Sequence, residues 1–365
     1  MVDLLPDIAR KGRGAVSNRN GRYEALSHVD VDDGWPSGDV DNSVVEKLQT
    51  QITPEAAKTI IARNASPDVP FDRSINPYRG CEHGCVYCFA RPTHAYMGLS
   101  PGLDFETRLF SKPNAAELLE RELRKPGYRC KTLQLGANTD PYQPIERDLK
   151  ITRSVLEVLS AFNHPVTITT KSDLVVRDLD ILAPMAAKGL AAVGMSVTTL
   201  DGNLSRLMEP RAPTPQKRLS AIRRLADADV PVRVMCAPVI PALNDWEIER
   251  ILAAGVENGA SGANYILLRL PLEISELFAE WLHAHAPMKA AHVLSLIRQS
   301  HKGTVYVPRF GERMSGTGEY AGMINKRYCL ALKKLGIDGR SDENYALDCS
   351  QFEPPLSRGA QLALF

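Results

Sequence analysis

Short apolar runs alternate with amphipathic segments from Ser74 to Leu270, and this alternation limits the fold more than any other feature of the sequence. The runs typical of buried strands are Thr132–Gly136, Pro165–Thr170, Ala191–Val197, Val232–Ala237 and Tyr265–Leu270. The segments of helical period are Ala115–Lys125, Thr152–Phe162, Asp178–Lys188, Pro215–Ala228 and Glu247–Glu257. With the stretch before Cys81 as a first strand, the pattern gives six βα units and predicts a parallel sheet with right-handed crossovers. The pattern alone does not distinguish a doubly wound sheet from an open barrel.

Three cysteines are crowded into one short segment, Cys81-x3-Cys85-x2-Cys88. Cysteine thiolates at such close spacings hold four-iron clusters, and three protein ligands leave the fourth iron open to a small molecule. A zinc site that adds His83 or His94 to the cysteines is one alternative, and structural thiols without a metal are another. Zinc sites usually contain two separated pairs of ligands, and no second pair follows here. The spacing favours iron-sulfur over zinc without removing either alternative.

The cysteine motif, with Tyr87 before its last cysteine, resembles the signature of the radical S-adenosylmethionine (SAM) superfamily. The flanking runs Ser74–Gly80 and Thr139–Glu146 are similar to a bacterial branch related to spore photoproduct lyase. The resemblance extends from about Asp72 to Gly336. It implies a [4Fe-4S] cluster held by Cys81, Cys85 and Cys88, with S-adenosyl-L-methionine as the second cofactor.

The resemblance also decides between the two folds, because radical SAM enzymes are built on a partial (β/α)6 barrel. We therefore expect an α/β fold, a partial (β/α)6 TIM-type barrel over residues 66–300. An irregular N-terminal lead-in over 1–65 is expected to drape over the barrel or to move, with its basic run Arg10–Gly14 as a solvated arm. A basic, glycine-containing C-terminal extension over 301–340 and a flexible tail over 341–365 complete the predicted organisation.

Barrels of this type place their chemistry at the carboxyl ends of the strands. The cofactor contacts that the resemblance implies there are Tyr87, Asn138, Thr139, Asp140, Lys171, Ser196, Thr198, Val239 and Ile240. Asn138, Thr139 and Asp140 are expected at the amino group of the methionine moiety. Lys171 is expected at the methionine carboxylate or a substrate phosphate, the two hydroxyls at the ribose, and the two aliphatic residues at the adenine. Hydroxyl and Asx residues that follow strands also commonly cap helices and turns.

The sequence departs from the lyase pattern at the end of the second strand. Where those enzymes have a cysteine that returns a hydrogen atom to the product, this chain has Ala137-Asn138-Thr139-Asp140. Lesion reversal by that route needs another donor, and the candidates are Cys236, Cys130, Cys329 and Tyr142. We assign the catalytic hydrogen donor to Cys236 or Tyr142. A buried free cysteine is more often a small hydrophobe.

Two stretches are rich in lysine and arginine although the net charge of the chain is only +1. The first contains Arg206, Arg211, Lys217, Arg218, Arg223 and Arg224, and the second contains Lys302, Arg309, Arg313, Lys326, Arg327, Lys333, Lys334 and Arg340. Such stretches can track phosphates, so nucleic acid is an expected partner, although helices also carry exposed cations for solubility. Glycines between Arg309, Arg313 and Tyr320 suggest a backbone that approaches something closely.

The chain ends in Gln361-Leu362-Ala363-Leu364-Phe365, an apolar peptide after a Pro- and Gly-containing segment. It is similar to the peptides with which bacterial repair and replication proteins bind the DNA sliding clamp, so Gln361, Leu362, Leu364 and Phe365 are predicted clamp contacts. Packing of these side chains against the barrel is the alternative. A flavodoxin- or ferredoxin-type electron donor is a further expected partner.

The seven cysteines, the lack of a secretory leader and the lack of a long apolar run predict a cytoplasmic protein without disulfides or membrane spans. The resulting prediction is a radical SAM enzyme, lyase-like, that acts on damaged or modified DNA. The alternative is radical SAM modification of RNA or a peptide, with no DNA or clamp role. A sensor or structural role for the cluster is disfavoured by the open iron.

Overall fold

A computed structural model describes residues 3–4, 7–24, 31–32, 48–337, 339 and 347–356. The strands in these ranges are β1 (Asp3–Leu4), β2 (Val31–Asp32), β3 (Gln51–Pro54), β4 (Ile61–Arg63), β5 (Arg73–Ile75), β6 (Tyr78–Arg79), β7 (Arg108–Ser111), β8 (Leu133–Leu135), β9 (Val166–Thr170), β10 (Ala191–Ser196), β11 (Val232–Val239) and β12 (Gly262–Leu267). The helices are α1 (Asp104–Thr107), α2 (Ala115–Leu123), α3 (Glu146–Leu149), α4 (Ile151–Ala161), α5 (Leu179–Ala187), α6 (Gly202–Met208), α7 (Pro215–Ala226), α8 (Ile248–Glu257), α9 (Ile274–His285), α10 (Pro287–Gln299) and α11 (Gly318–Leu335).

The main sheet has seven strands in the order β12-β11-β10-β9-β8-β5-β4. The six strands from β5 to β12 in this sheet pair in parallel, and β4 adds an antiparallel edge beside β5. Each neighbour in the row is the next βα unit along the chain, which is the order of a barrel wall rather than of a doubly wound sheet. The predicted α/β class and the six parallel strands are therefore confirmed.

The helices cover the sheet with the apolar faces that their periodicity predicted. In α4, for example, Ile151, Val155, Leu156 and Leu159 are buried against the strands. Burial of each such side chain contributes about 1.5–3 kcal/mol to the stability of the layer. The predicted helices thus match α2, α4, α5, α7 and α8 to within a few residues.

The last strand begins earlier than its apolar run suggests, at Gly262 rather than Tyr265. The small residues at its start are required by packing, because a Cβ atom at Gly262 would lie 2.6 Å from the Arg233 guanidinium. Apolar periodicity did not predict β4 or the small sheet β3-β7-β6 either. Both elements use residues from the segment predicted to be an irregular lead-in.

Across the described ranges, no helix is long and apolar enough to cross a membrane. The predicted clamp-binding peptide 361–365 lies outside the described residues, as does Arg340.

Candidate cofactor site

The three cysteines follow β5 and β6 on one loop that is closed by short backbone hydrogen bonds. Gly84 N donates to Cys81 O at 3.2 Å, and Cys88 N donates to Cys85 O at 3.2 Å. Cys81 and Cys85 are buried, and Cys88 is half-buried. All three side chains line the same cavity. The loop thus presents three thiols to one enclosed space.

A buried ion pair holds this loop from behind. Arg91 Nη2 donates to Glu106 Oε1 at 2.5 Å, and both side chains are fully buried. The same guanidinium donates to Cys85 O at 2.9 Å and to Gly84 O at 3.1 Å. A buried guanidinium is stable only when its donors are satisfied in this way. Arg91 therefore fixes the backbone at the second cysteine and the glycine before it.

Glu106 also binds the N-terminal segment. Its carboxylate accepts hydrogen bonds from Gly14 N at 2.9 Å and from Ala15 N at 2.8 Å. Arg13 is buried, donating to Glu106 O at 3.1 Å and to Leu48 O at 2.6 Å. The prediction of a solvated basic arm is wrong for Arg13, because its charge lies in the support of the cysteine loop.

Gly84 is required at the centre of the loop. Its φ of +66° is disfavoured for residues with a Cβ, and a Cβ there would lie 2.7 Å from Glu106 Oε2. Gly136 has the same importance at the end of β8, since a Cβ there would lie 2.1 Å from Thr169 O. These two glycines let the cysteine loop and the strand ends approach each other.

The cavity above the cysteines is lined by the carboxyl ends of β8, β9, β10, β11 and β12. It encloses about 920 Å³ of space that is continuous with solvent, a size typical of pockets for small molecules and cofactors. Besides the cysteines, its lining contains the predicted contacts Tyr87, Asn138, Thr139, Asp140, Lys171 and Ser196. The structure therefore brings six of the nine predicted cofactor contacts to one cavity, while their contact with a cofactor stays a prediction.

Asp140 connects the elements that surround this cavity. Its carboxylate accepts from Lys171 N at 2.7 Å, from Thr170 Oγ1 at 2.6 Å and from Tyr142 N at 2.9 Å. Burial opposes the charge, but the nearby His83 ring and these hydrogen bonds lower the pKa of Asp140 to about 2. The ionised carboxylate of Asp140 thus connects the ends of β8 and β9 through its hydrogen bonds.

The other polar side chains of the lining differ in whether they already make hydrogen bonds within the protein. Thr139 Oγ1 donates to Tyr78 O at 2.9 Å, so its hydroxyl is used by the fold. The half-buried Asn138 and Lys171 make no side-chain hydrogen bond within the described residues, and Lys171 Nζ lies 5.7 Å from the centre of the Tyr87 ring. Asn138 and Lys171 are consequently the lining side chains best able to bind a polar ligand.

Three predicted contacts are placed elsewhere. Thr198 does not line the cavity; its hydroxyl donates to Glu209 Oε1 at 2.7 Å and to Ala237 O at 3.2 Å. Val239 and Ile240 are buried in the core, and Ala237 and Pro238 line the cavity instead. The register of β11 against β12 shifts between Cys236 and Val239, so regular strand alternation does not extend through this stretch.

Neither predicted hydrogen donor faces the cofactor cavity. Met235 and Ala237 line it, so strand alternation directs Cys236 to the helical side of β11, where it is buried. Tyr142 is fully buried, and its hydroxyl donates to Asp178 Oδ2 at 3.0 Å, outside this cavity. Within the described lining, the only thiols are the three of the motif. The placement of Cys236 and Tyr142 is therefore against both as donors to a substrate radical.

The chemistry of the three cysteine thiols bears on the metal that the motif implies. Burial raises the pKa of the Cys81 thiol well above its usual range, and the Asp140 carboxylate adds to this effect; burial likewise raises the pKa of Cys85. Buried thiols lose their protons when a bound cation supplies compensating charge. In the part of the chain that the structure describes, no three His, Cys, Asp or Glu side chains converge on a single metal ion. Three cysteine thiols that face one cavity fit the three-cysteine ligation of a four-iron cluster.

The two histidines of the zinc alternative differ in position. His94 Nε2 lies 2.9 Å from Arg108 O, and its ring packs edge-on against Phe105, away from the cavity. His83 lines the cavity and is only 1% exposed, and neither of its ring nitrogens makes a hydrogen bond among the described residues. Its Nδ1 lies 3.4 Å from Asp140 Oδ2. The buried imidazole thus faces the Asp140 carboxylate with Nδ1, while its Nε2 has no partner among the described residues, which points to a role in the site.

Sequence reasoning missed Glu209, which is buried behind the cavity. It accepts hydrogen bonds from Tyr87, Thr198 and Arg218. It also missed the pair Phe89 and Arg269, at the solvent-exposed edge of the lining. Phe89 is 44% exposed, and the Arg269 guanidinium lies 4.6 Å from its ring centre. An aromatic residue next to a cluster ligand was the only sequence signal for this pair.

The basic stretches are partly neutralised by the fold. Arg218 is buried in its ion pair with Glu209, so it is not part of a phosphate-binding face. Arg313 pairs with Asp68 and donates to Ser66 Oγ at 2.6 Å, while Arg327 pairs with Glu249 at 2.6 Å. Gly316 approaches Leu267 and Ser300 of the chain itself. The glycines of the extension therefore serve internal packing at this point.

The parallel sheet, the cysteine loop and the cavity at the strand ends define an enzyme of the barrel type that carries its cofactor at the top of the barrel. The family model of the radical SAM superfamily matches residues 75–254. An uncharacterized protein of Mycobacterium tuberculosis is 37% identical over 273 residues, which cover 74% of this chain and 76% of that protein. This chain belongs to the radical SAM superfamily and is a radical SAM enzyme.

Further relatives and solved structures are similar to this chain. An uncharacterized protein of Methanocaldococcus jannaschii is 30% identical over 173 residues, 47% of this chain and 62% of that protein. Spore photoproduct lyase complexed with dinucleoside spore photoproduct has a TM-score of 0.55 at 16% identity, covering 79% of this chain and 80% of that one. A mutant of that lyase with bound AdoMet and the dinucleoside has a TM-score of 0.56 at 14% identity, covering 81% and 86%. At these identities the likeness shows the fold, and it confirms the partial TIM-type barrel.

Proposed function

We propose that this enzyme binds a [4Fe-4S] cluster through Cys81, Cys85 and Cys88 and uses it with S-adenosylmethionine to abstract a hydrogen atom from damaged or modified DNA. The observation that carries the cofactor assignment is the single cavity shared by the three thiols and five strand ends. When bound, the two cofactors supply the one-electron cleavage of S-adenosylmethionine to methionine and a 5'-deoxyadenosyl radical.

The residues of the chain position and shield this chemistry. Lys171 presents a cation for the methionine carboxylate, and Asn138 presents an amide for its amino group. The hydroxyl of Tyr87 is fixed on Glu209, so its ring forms a rigid wall of the cavity. We place the entrance for a substrate at Phe89 and Arg269, because both line the cavity and Phe89 is exposed to solvent.

The DNA assignment is supported by the composition of this entrance. An arginine stacked on an exposed aromatic ring can bind a splayed base by stacking and its phosphate by charge. Phe310, which is 54% exposed, offers a second stacking surface beside Arg313 at 4.7 Å, although the charge of Arg313 is already paired with Asp68. Enzymes that act on bases take them out of the stack into a pocket of this kind. The fold likeness to a lyase solved with a dinucleoside lesion supports the same substrate class.

The clamp is the second part of this proposal. Phe352 packs against Phe162 and His164, and Arg124 Nη1 donates to Pro355 O at 2.7 Å. These contacts attach residues 352–356 to α2 and α4, immediately before the peptide 361–365. We propose that this peptide binds a groove of the DNA sliding clamp. Calorimetry with a purified bacterial clamp should give micromolar binding to the full chain and none to a chain ending at Ala360.

The test of the catalytic proposal begins with anaerobic reconstitution with iron and sulfide. Cys81→Ala, Cys85→Ala and Cys88→Ala should each abolish the brown absorbance and the formation of 5'-deoxyadenosine. Cys236→Ala should retain both, because its thiol lies outside the cavity. Retention of both signals in the three motif variants would end the proposal.

The substrate class is tested with ultraviolet-irradiated DNA from cells grown in heavy water. Transfer of deuterium into 5'-deoxyadenosine, detected by mass spectrometry, is the expected result. Equally deuterated RNA and peptide mixtures serve as comparisons. Transfer from RNA or peptide with none from DNA would replace DNA as the substrate class while leaving the radical chemistry intact.

A further inference from the structure

Two cysteines outside the cofactor site lie next to each other although they are far apart in the sequence. Cys130 precedes β8, and Cys349 belongs to residues 347–356, which we call the C-terminal segment. Both cysteines are free and half-buried. The thiol of Cys130 makes a hydrogen bond with the thiol of Cys349. The fold thus holds two reduced thiols in contact.

Packing on either side of the two thiols supports this contact. Phe352, which follows Cys349, lies with its ring centre 5.4 Å from that of Tyr128. Arg73 Nη1 donates to Arg129 O at 2.7 Å, which fixes the backbone directly before the other thiol. A thiol is only a weak hydrogen-bond donor. The surrounding packing, rather than the bond between the thiols, therefore keeps them together.

The C-terminal segment crosses the amino ends of three neighbouring strands. Asp348 N donates to Gly189 O at 3.1 Å, just before β10, and Glu353 N donates to Phe162 O at 3.1 Å, before β9. Cys130 lies before β8, the next strand in the row. The cofactor cavity is lined by the carboxyl ends of the same strands. The thiol pair is therefore at the opposite end of the barrel from the three cysteines of the motif.

The two thiols differ in their access to small molecules. Cys349 lines a cleft of about 1100 Å³ of solvent-connected space, whose opposite side is formed by residues within the stretch 64–72. Cys130 is not part of the described lining of this cleft. Burial raises the pKa of the Cys130 thiol to about 12, and the adjacent Cys349 thiol adds to this effect. Because a protonated thiol is a poor nucleophile, Cys349 is the thiol with which a small oxidant in the cleft reacts first.

We propose that Cys130 and Cys349 are a peroxide-responsive dithiol pair whose disulfide fixes the C-terminal segment to the amino ends of the barrel strands. In the first step, the Cys349 thiolate attacks hydrogen peroxide, breaks its O–O bond and becomes a sulfenic acid, with release of hydroxide. In the second step, the Cys130 sulfur displaces the sulfenic hydroxyl, which leaves as water with the proton of the Cys130 thiol. The two thiols lose two electrons and two protons, and peroxide becomes two molecules of water.

The disulfide changes how the C-terminal segment is attached. The segment contains no helix or strand, so it is held by the non-covalent contacts described above and by the bond from Arg124 Nη1 to Pro355 O at 2.7 Å. Segments of this kind open locally at a low free energy, and a cross-link that closes a long loop restricts such opening. A thiol reductant restores the open pair by exchange. This inference goes beyond the proposed function, because it requires neither a cluster nor DNA.

The experiment maps the disulfide in the full chain. The purified protein is treated with a small excess of hydrogen peroxide, blocked with N-ethylmaleimide and digested with trypsin without a reductant. The sequence predicts that trypsin releases Cys130 in the dipeptide Cys130–Lys131 and Cys349 in the peptide 341–358. Mass spectrometry should detect these two peptides joined to each other as the main product of Cys349 oxidation, and dithiothreitol should separate them.

Matched variants test the order of the two steps. Cys130→Ser should form no cross-linked peptide and should accumulate the sulfenic acid of Cys349, which dimedone traps. Cys349→Ser should leave Cys130 reduced at the same dose of peroxide. Cys329→Ser is the control, because Cys329 is exposed on α11 and does not line the cleft. It should form the cross-linked peptide to the same extent as the wild type.

Amide hydrogen exchange measures the effect on the C-terminal segment. Oxidation of the wild type should slow exchange in this segment about fivefold, and it should leave the rate in Cys130→Ser unchanged. Pairing of Cys349 with any other cysteine would overturn the proposal, as would a Cys349 that stays reduced while the cysteines of the motif are oxidised. Equal exchange before and after formation of the cross-link would overturn it as well.

Discussion

The carboxylate of Asp140 accepts the backbone N–H of Lys171 at 2.7 Å, and this bond aligns the ends of two neighbouring strands under the cofactor cavity. The residue predicted to bind the cofactor directly is thus engaged by the protein on both oxygens. Its neighbour Asn138 lines the same cavity with its side chain unengaged by described residues. Asp140 thus supports the structure of the site, whereas the Asn138 side chain remains available to contact the ligand.

Asp140→Asn should lower both the stability of the protein and its affinity for S-adenosylmethionine. The amide removes the charge that receives three hydrogen bonds, which should cost about 1–3 kcal/mol in the free energy of unfolding. Asn138→Ala should weaken S-adenosylmethionine binding with a change in stability within about 0.5 kcal/mol. Urea unfolding and calorimetry measure the two quantities. Equal unfolding free energies for Asp140→Asn and the wild type would contradict the supporting role.

Arg91→Lys should destabilise the fold and prevent cluster loading. Lysine cannot reproduce the forked contacts to the loop carbonyls and to Glu106, and a damaged buried ion pair costs about 3–5 kcal/mol. Arg79→Ala is the control, because Arg79 and Glu55 form an exposed pair at 2.7 Å, worth at most about 1 kcal/mol. Chemical denaturation and iron analysis check both variants. A fully loaded Arg91→Lys enzyme of normal stability would refute the role of this residue in the loop.

Arg269→Ala should weaken DNA binding and leave S-adenosylmethionine cleavage in the absence of substrate intact. Stacking on a base contributes about 1–3 kcal/mol, so the dissociation constant for an irradiated oligonucleotide should rise roughly tenfold or more. Arg298→Ala, exposed and distant from the cavity lining, is the matched control. Fluorescence anisotropy against salt concentration gives the affinities, and similar values for the two variants would argue against the entrance as a nucleic-acid site.

Stability should fall as the pH drops from 6.5 to 4. Burial lowers the pKa of His164 to about 4, opposed by its bond to Pro165 O and aided by the nearby Arg73 charge. The unfolded chain therefore binds a proton in this window that the folded chain does not, so the full stability is present above pH 6.5. At about 1.4 kcal/mol per pH unit, the loss attributable to His164 reaches about 3 kcal/mol and stops growing below pH 4.

His164→Gln should reduce the decrease in the free energy of unfolding between pH 7 and pH 4, measured by urea titrations at pH 7, 5.5 and 4. Burial also lowers the pKa of His94 to about 4, so the variant should retain the part of the pH dependence of stability that His94 causes. An unchanged slope in His164→Gln would show that His164 is not buried in its neutral form.

The strands and the cysteine loop could be predicted because their signals are local. β-Branched runs such as Val166–Thr170 identify the parallel strands, and three thiols at close spacing identify the cluster loop. The orientation of individual side chains could not be predicted in the same way. A parallel strand is buried on both faces, so its apolar run does not reveal that Met235 faces the cavity while Cys236 faces the helices.

Contacts between parts of the chain that are distant in sequence could not be predicted from the sequence either. Arg13 and Glu106 are separated by more than ninety positions, and no periodicity connects them. A lone basic residue in a Gly-rich lead-in has the same appearance whether it is solvated or buried. The position of Glu209 behind Tyr87 likewise depends on the loop after β10, whose path is set by packing.

The hydrogen bonds from Gly14 and Ala15 to Glu106 have a practical consequence for oxygen tolerance. A barrel shortened to residues 66–365 would leave this carboxylate without two of its donors and would uncover the back of the cysteine loop. For the proposed cluster, we expect this truncation to shorten its lifetime in air. A dozen residues near the start of the chain, far in sequence from the cysteines, would thus contribute to the oxygen tolerance of the enzyme.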